Sequence, residues 1–341
     1  MISPVLIEFG FRENEYHFSP YGNGLINATW LIERNENGEK FILQKINHTV
    51  FRSPKDIAFN TSLIADHLKQ NHPGYFFTAP LKTNTGEEMV NSGEDYFRLF
   101  PFVKGSHTID TVQKPAQAYE AARQFGKFTK LLSGLDIEQL KITLPDFHNL
   151  SLRYQQFENA LMTGDKVRLK QSRDLINFMQ QHRNIAGEFE YNKPDFITRV
   201  THHDTKISNV LFDDNDKGLC VIDLDTVMPG YFISDVGDMM RTYLSPVTEE
   251  EKDFLKIEVR PEFYRSIVDG YIAEMGEELN DFEKTYFHFA GKFMIYMQAL
   301  RFLTDHLNND VYYGSKYAGH NFVRAGNQIT LLQRLIEFNP G

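Results

Sequence analysis

The stretch Thr201-His202-His203-Asp204-Thr205-Lys206-Ile207-Ser208-Asn209 decides the reading, together with Val221-Ile222-Asp223-Leu224-Asp225. The first holds His-x-Asp, then a Lys two residues past the Asp and an Asn five residues past it. Between the two lie the apolar runs Asn209-Val210-Leu211-Phe212 and Leu219-Cys220-Val221-Ile222, split by the polar turn Asp213 to Gly218. Apolar runs about a polar, Gly-ended turn predict a small hairpin. Transfer of a phosphoryl group from ATP calls for this set of groups. One carboxylate orients the acceptor hydroxyl and takes its proton. An amide oxygen and a second carboxylate hold Mg²⁺ against the phosphates. A cation meets the charge on the transferring group. Asp204 is therefore the candidate base, Asn209 and Asp223 the candidate Mg²⁺ ligands, and Lys206 the candidate γ-phosphate contact. His202 is expected to brace the loop. Asp225 is left open between a second metal and the acceptor. A His-x-Asp or an Asp-x-Asp pair alone is common in loops and turns. The order of the whole set, with Asn209 and a hairpin inside it, carries the argument.

Outward from this patch the chain changes texture once. The first hundred residues read as β-rich. Asn27 to Glu33 and Phe41 to Ile46 flank the turn Asn35-Glu36-Asn37-Gly38-Glu39, which predicts a hairpin. Ser53 to Asn71 reads as a helix, with Ser53 as cap, Pro54 in the first turn, and Ile57, Ile64 and Leu68 at helical spacing. Thr83 to Gly86 is a turn and Tyr96 to Phe100 a strand that ends at Pro101. Beyond it Thr111 to Leu132 reads as helical, as do 150–187, 249–278, 280–308 and 317–337. The fold class is α+β. The domains are a small antiparallel sheet lobe over 1–102 with one helix, and a larger, mainly helical lobe over 103–341.

The chain has 341 residues, 41% hydrophobic and 24% charged, enough apolar content for a sizeable core. Its 36 Lys and Arg against 46 Asp and Glu give a net charge of −10, a poor basis for clamping a nucleic-acid backbone or an anionic membrane. Cys220 is the single cysteine, so neither an internal disulfide nor a Cys-based zinc site can form. The N-terminus lacks a basic segment before an apolar run. The apolar stretch from Phe293 to Leu303 is too short to span a bilayer. A cytoplasmic monomer with small-molecule partners is the expectation.

The catalytic stretch resembles the corresponding loops of the aminoglycoside phosphotransferase and choline kinase superfamily. The closer similarity is to the N-acetylhexosamine 1-kinases. It lies in His202 to Asp213, Ile222 to Gly230, and Asp235-Val236-Gly237-Asp238-Met239-Met240-Arg241. Flanking segments resemble that branch too: Gly22-Asn23-Gly24-Leu25-Ile26-Asn27, Ile42 to Asn47, and Arg301 to His306 with Tyr312-Tyr313. The resemblance implies a bilobal protein-kinase-like fold, ATP and Mg²⁺ as cofactors, and the anomeric hydroxyl of an N-acetylhexosamine as acceptor. It implies sugar contacts at Arg301 and Tyr312, with Thr226 and Asn27 behind them, and an adenine-binding hinge over 97–103, with Phe100 and Phe102. Leu25 stands where that branch would have a His. Asp235, Asp238 and Arg241 are expected to brace the metal loop.

On the phosphate side, Gly22 and Gly24 could let backbone amides approach the phosphates, although Asn27 replaces the third Gly of a full Gly-x-Gly-x-x-Gly. No Gly-x-x-x-x-Gly-Lys-Ser/Thr is present, which argues against a P-loop kinase. Lys45 is the candidate strand cation. Side chains on a strand alternate, so Gln44 and Lys45 face opposite ways. The following helix offers no Glu to pair with Lys45, only Asp56 and Asp66. Three other readings compete. A kinase for choline, homoserine or an aminoglycoside would want a dense acidic or aromatic cage. A metal-dependent hydrolase using His202, His203, Asp204 and Asp223 would leave Asn209 and Lys206 without a task. A nucleotide-binding pseudokinase would not need Asp204, Asn209 and Asp223 together.

Overall fold

The computed structural model describes residues 2–22 and 26–340. Gly24 and Leu25, the second glycine of the phosphate-side motif and the departure beside it, lie outside the described residues. A short helix α1 (Ile2–Glu8) precedes β1 (Tyr16–Pro20), β2 (Ala28–Arg34) and β3 (Lys40–Ile46). Helix α2 (Pro54–Asn71), β4 (Val90–Ser92) and β5 (Asp95–Pro101) follow. The strands form one antiparallel sheet in the order β1-β2-β3-β5-β4. Alternation along β3 and β5 sorts the side chains. Phe41, Leu43, Phe97 and Leu99 face a core shared with Val5, Leu6, Phe11 and Ile32. Ile46 lies on the opposite face and packs with Phe51 and Ile57. The expected hairpin, helix and strand are all present. Pro54 opens α2, and Ile57, Ile64 and Leu68 are its buried stripe. Ser53 does stand at the N-cap, but its side chain makes no capping bond.

The chain divides into two compact units, and the division is not a single cut. The sheet unit comprises 1–106, 134–145 and 222–228. One side chain on α2 shows why the two later segments belong to it. The Asn60 amide donates to the Lys141 and Val227 carbonyls at 2.8 and 3.1 Å and accepts from the Lys141 N–H at 2.8 Å. A buried amide that satisfies three backbone groups holds both segments in place.

The other unit carries α3 (Pro115–Leu131), α4 (Leu150–Thr163), α5 (Lys166–Gln171), α6 (Arg173–Gln181) and α7 (Asn184–Asn192). Then come β6 (Arg199–Thr201), β7 (Val210–Phe212), β8 (Gly218–Val221) and β9 (Met228–Gly230), the last beginning in the sheet unit. The helices α8 (Phe232–Tyr243), α9 (Pro261–Met275), α10 (Asp281–Lys284), α11 (Phe287–Leu307) and α12 (His320–Glu337) complete it. β7 and β8 are the expected hairpin, with Val210 opposite Val221. Several helical expectations need correction. The stretch 150–187 is four helices. The stretch 249–260 is not helical apart from a 3₁₀ turn at Phe254–Lys256. There Thr248, Glu251 and Asp253 accept from nearby backbone N–H groups, which offers the chain an alternative to a helix. The helix proper waits for Pro261 at its first position. No described helix is long and apolar enough to cross a membrane.

Helix α8 crosses α11 at Gly237. A Cβ at Gly237 would lie 2.4 Å from the Ala290 carbonyl oxygen and 2.8 Å from Met294 Cβ. Backbone cannot yield as a flexible side chain does. Gly237→Ala is therefore expected to cost about 1–3 kcal/mol of stability, read as a lower urea midpoint at unchanged slope. An unchanged midpoint would mean that the two helices are not in this contact.

Candidate active site

The catalytic loop leaves β6 in an unusual backbone conformation. His203 has φ +66°, in the left-handed region that non-glycine residues rarely occupy. Two hydrogen bonds hold it there. The N–H groups of His202 and His203 donate to the two oxygens of Asp235, at 3.1 and 2.8 Å. Asp238, one turn further along α8, accepts from the Thr205 N–H at 2.9 Å. The Thr205 hydroxyl donates to the Asp235 carbonyl, and the Tyr243 hydroxyl donates to the Thr205 carbonyl. Gly230 leaves room for the His203 ring, because a Cβ there would lie 2.4 Å from His203 Cε1. Asp235 and Asp238 thus brace the catalytic loop, whereas the sequence had pointed to the metal loop as their load.

This loop presents Asp204. Its Oδ1 lies 3.1 Å from Lys206 Nζ, and its Oδ2 accepts from Asn209 Nδ2 at 3.2 Å. Asn209 Nδ2 also donates to the Asp204 carbonyl at 2.9 Å. With its nitrogen committed to Asp204, Asn209 has its amide oxygen left for a cation. Burial pushes the Asp204 carboxyl up, but Lys206 and His202 outweigh it and hold it below the usual aspartate range. Lys206 is raised by Asp204 in return. The Asp204 carboxylate is thus ionised, and its two oxygens are already oriented. His202 is fully buried beside Phe125, with ring centroids 5.1 Å apart, which suits the bracing role expected of it.

Asp223 belongs to the sheet unit and is also left-handed, at φ +61°. It opens a 3₁₀ turn, Leu224–Thr226, that buries Asp225 and Thr226. Asp225 Oδ1 lies 2.5 Å from Arg98 Nη1, and Oδ2 accepts from Asn27 Nδ2 at 2.7 Å. These bonds occupy Asp225 with protein groups. Asn27 is not left over for a substrate either, since its Oδ1 accepts from the Asn47 N–H at 3.0 Å. The Asp223 side chain is 39% exposed, against 3% for Asp225. An exposed carboxylate and an uncommitted amide oxygen are hard oxygen donors of the kind Mg²⁺ takes. Each of the two, taken within its own unit, therefore has the donor chemistry of a Mg²⁺ ligand.

Other expectations on the nucleotide side need revision. Lys45 lies on the core face of the sheet and pairs with Asp95 at 2.8 Å, away from Asp225. Gln44, on the other face, accepts from Arg98 Nε at 3.0 Å. The strand cation beside the metal loop is Arg98, which the sequence reading missed. A signal was available: a charge between Phe97 and Leu99, in a strand segment with no exposed position to receive it. The Phe102 N–H donates to the Lys40 carbonyl at 3.0 Å and so continues the ladder. Phe100 lies under the Arg98 guanidinium, 5.2 Å from its ring centroid. Gly22 has φ +72° and open space about its Cα.

On the helical unit, Arg301 does not pair with Asp305. Its guanidinium lies over the rings of Phe147, Tyr312 and Tyr313, at 5.5, 5.8 and 5.4 Å from their centroids. Asp305 instead accepts from the backbone N–H groups of Tyr312 and Tyr313. Tyr312 is largely exposed and its hydroxyl accepts from Arg301 at 3.4 Å. His148 stacks on Phe147, and its Nδ1 lies 3.2 Å from His203 Nδ1. Burial, His203 and Arg301 hold the His148 imidazole well below its usual range, hence neutral. The aromatic group around Arg301 therefore adjoins the catalytic loop. Phe147 and His148 were not foreseen.

The chain matches the model of the phosphotransferase enzyme family, APH, over residues 17–279, and it belongs to that family. Solved structures share the fold. A microcompartment-associated aminopropanol kinase is 16% identical at a TM-score of 0.68, covering 98% of this chain and 97% of that one. A spectinomycin phosphotransferase in complex with ADP and spectinomycin is 11% identical at 0.63, covering 97% and 96%. Choline kinase from Cryptosporidium parvum is 14% identical at 0.56, covering 96% and 92%. The fold is accordingly kinase-like, an antiparallel sheet unit followed by a helical one.

The brace on α8 extends to three ion pairs. Arg241 bonds Asp238 and, at 2.6 Å, Glu249, which also meets Arg324. Burial pushes Glu249 up, but Arg241 and Arg324 outweigh it and hold it down to about 2. Unfolded, the group takes a proton near 4.5. Its contribution is thus complete above pH 4.5 and is lost as pH falls toward 2. Glu249→Gln should lower stability at pH 7 by roughly 3 kcal/mol, and the two melting curves should converge in acid. A constant difference across that range would remove Glu249 as the titrating partner.

Proposed function

We propose that the chain is an ATP- and Mg²⁺-dependent kinase that phosphorylates the anomeric hydroxyl of an N-acetylhexosamine, giving a sugar 1-phosphate. The observation that carries the reaction class is the doubly held Asp204, with Lys206 on one oxygen and Asn209 on the other. In this role Asp204 accepts the hydroxyl proton as the oxygen attacks the γ-phosphorus and the bond from that phosphorus to the bridging oxygen breaks, releasing ADP. Lys206 balances charge on the transferring group. Asn209 and Asp223 are the proposed donors to Mg²⁺, which would supply charge neutralisation at the phosphates. Gly22 and backbone near Phe100 and Phe102 remain proposals for the nucleotide, and Thr226 for the acceptor.

The acceptor class rests on Arg301. Choline or an aminoglycoside is a cation, and an aromatic cage would recognise it through ring faces. Here the ring faces of Phe147, Tyr312 and Tyr313 already carry the Arg301 guanidinium. A neutral polyhydroxy acceptor avoids that like charge. It can also take hydrogen bonds from Arg301 and stack on Tyr312.

A panel of N-acetylglucosamine, N-acetylgalactosamine, plain hexoses, choline, aminopropanol, homoserine and an aminoglycoside with Mg-ATP tests this reading. Phosphate on the anomeric oxygen of an N-acetylhexosamine is the expected product. Phosphate on another sugar hydroxyl, or on an amino alcohol alone, would refute the 1-kinase assignment. Asp204→Ala should lower kcat by at least a hundredfold while nucleotide binding survives. Full turnover in that variant would remove Asp204 as base.

A further inference from the structure

We infer that Arg98 is a positioning residue for phosphoryl transfer: it sets the conformation of the 223–226 turn, and so the affinity of Asp223 for Mg²⁺, without touching the metal. The inference rests on the proposed reading of Asp223 as a metal ligand. Arg98 sits on β5 with 2% of its side chain exposed. Two of its three guanidinium nitrogens are engaged within the sheet unit. Nε donates to Gln44, its cross-strand partner. Nη1 pairs with Asp225 at 2.5 Å. Nη2 is buried, makes no hydrogen bond, and lies 4.0 Å from Asp223 Oδ1.

The turn needs such a hold. Asp223 has φ +61° and ψ +64°, a conformation that costs an aspartate on the order of 1–3 kcal/mol. It persists only if neighbours over-determine it. Downstream, Asn60 bonds the Val227 carbonyl. Within the turn, Asp225 is held by Arg98 and Asn27. Releasing Asp225 frees the turn to relax toward right-handed φ, which rotates the Asp223 carboxylate. Nη2 stands 4.0 Å from Asp223 Oδ1, beyond hydrogen-bond reach, so Arg98 places its charge beside that carboxylate without bonding it. Asp225 in turn neutralises the guanidinium, which moderates repulsion of a divalent cation nearby. A lysine could not reproduce the contacts to Gln44 and Asp225 together with that placement.

Arg98→Ala would leave Asp225 as a buried charge without its counter-ion and is expected to destabilise the fold, so the decisive variants are Arg98→Lys and the double substitution Arg98→Met with Asp225→Leu. The double variant removes both buried charges together and is expected to fold with near wild-type melting temperature. Calorimetry follows binding of ADP as Mg²⁺ is titrated, which needs no acceptor. Steady-state assays then separate kcat from the Mg²⁺ requirement. Both variants should need at least tenfold more Mg²⁺ for half-maximal ADP binding, with Arg98→Lys the less affected. ADP binding in the absence of Mg²⁺ should be unchanged. A double variant that folds and keeps the wild-type Mg²⁺ dependence would overturn the proposal and leave the pair a purely structural one. If the wild-type protein itself shows no Mg²⁺-dependent ADP binding, the reading of Asp223 as a metal ligand fails instead.

Discussion

Two backbone amides aimed at one buried carboxylate hold the catalytic loop in shape. The N–H groups of His202 and His203 can both reach Asp235 only with His203 in the left-handed region. That conformation is costly for a histidine, and the two bonds offset the cost. Burial pushes the Asp235 carboxyl up to about 7, and the amides pull against it. Everything downstream inherits the turn. Asp204 emerges with its oxygens toward Lys206 and Asn209, and Thr205 is left to be held by Asp238 and Tyr243. Helix α8 can supply both acids because they lie three residues apart, on one face. Gly237 between them lets that helix sit close to α11.

The sheet unit uses the same device with a different partner. Asp225 fixes the turn after Asp223 as Asp235 fixes the turn before Asp204, but it answers to a guanidinium and a side-chain amide. The choice changes the local charge. Among the acids of these loops, Asp204 is paired with Lys206, Asp238 with Arg241 and Asp225 with Arg98. Asp223 keeps the most exposed carboxylate of the four. A net charge of −10 is thus compatible with the proposed nucleotide substrate, because most acids of these loops are paired with cations.

Much of this was legible in the sequence for a physical reason. Hairpins announce themselves by alternation and by Asn-Gly or Gly-ended turns, and β2, β3 and β7–β8 fell where those signals stood, whereas β1 and β4 were not foreseen. The contacts of Asp204 with Lys206 and Asn209 were legible because these residue types stand at short spacing in the chain. What escaped were long-range pairings. Arg98 and Asp225 lie far apart in the chain, and nothing local to β5 says which acid its arginine will meet. Lys45 attracted attention because it is a cation on the expected strand. Its parity with Phe41 and Leu43 already put it on the core face, where Asp95 receives it. The overlong helix expectation at 249–278 failed because Thr248, Glu251 and Asp253 spend their side chains on local backbone. Charge periodicity does not distinguish that use from a solvated helix face.

The surroundings of Arg301 follow a different logic from those of Arg98. At Arg301 a cation is stored on ring faces, not in an ion pair. Asp305, four residues from Arg301 and the obvious partner, is drawn off by the Tyr312 and Tyr313 amides and by Asn321. This seats the aromatic segment and leaves the guanidinium without a carboxylate among its bonds, which run to Gln298 and Tyr312. A guanidinium stacked on rings keeps its edge donors for a ligand, whereas one in a bidentate pair has spent them. An acidic cage would select a charged amine. Donors on an aromatic platform suit hydroxyls and an acetamido carbonyl, and the neighbouring His148, neutral through burial, adds no second positive charge. The acceptor preference thus turns on which side chain Asp305 serves.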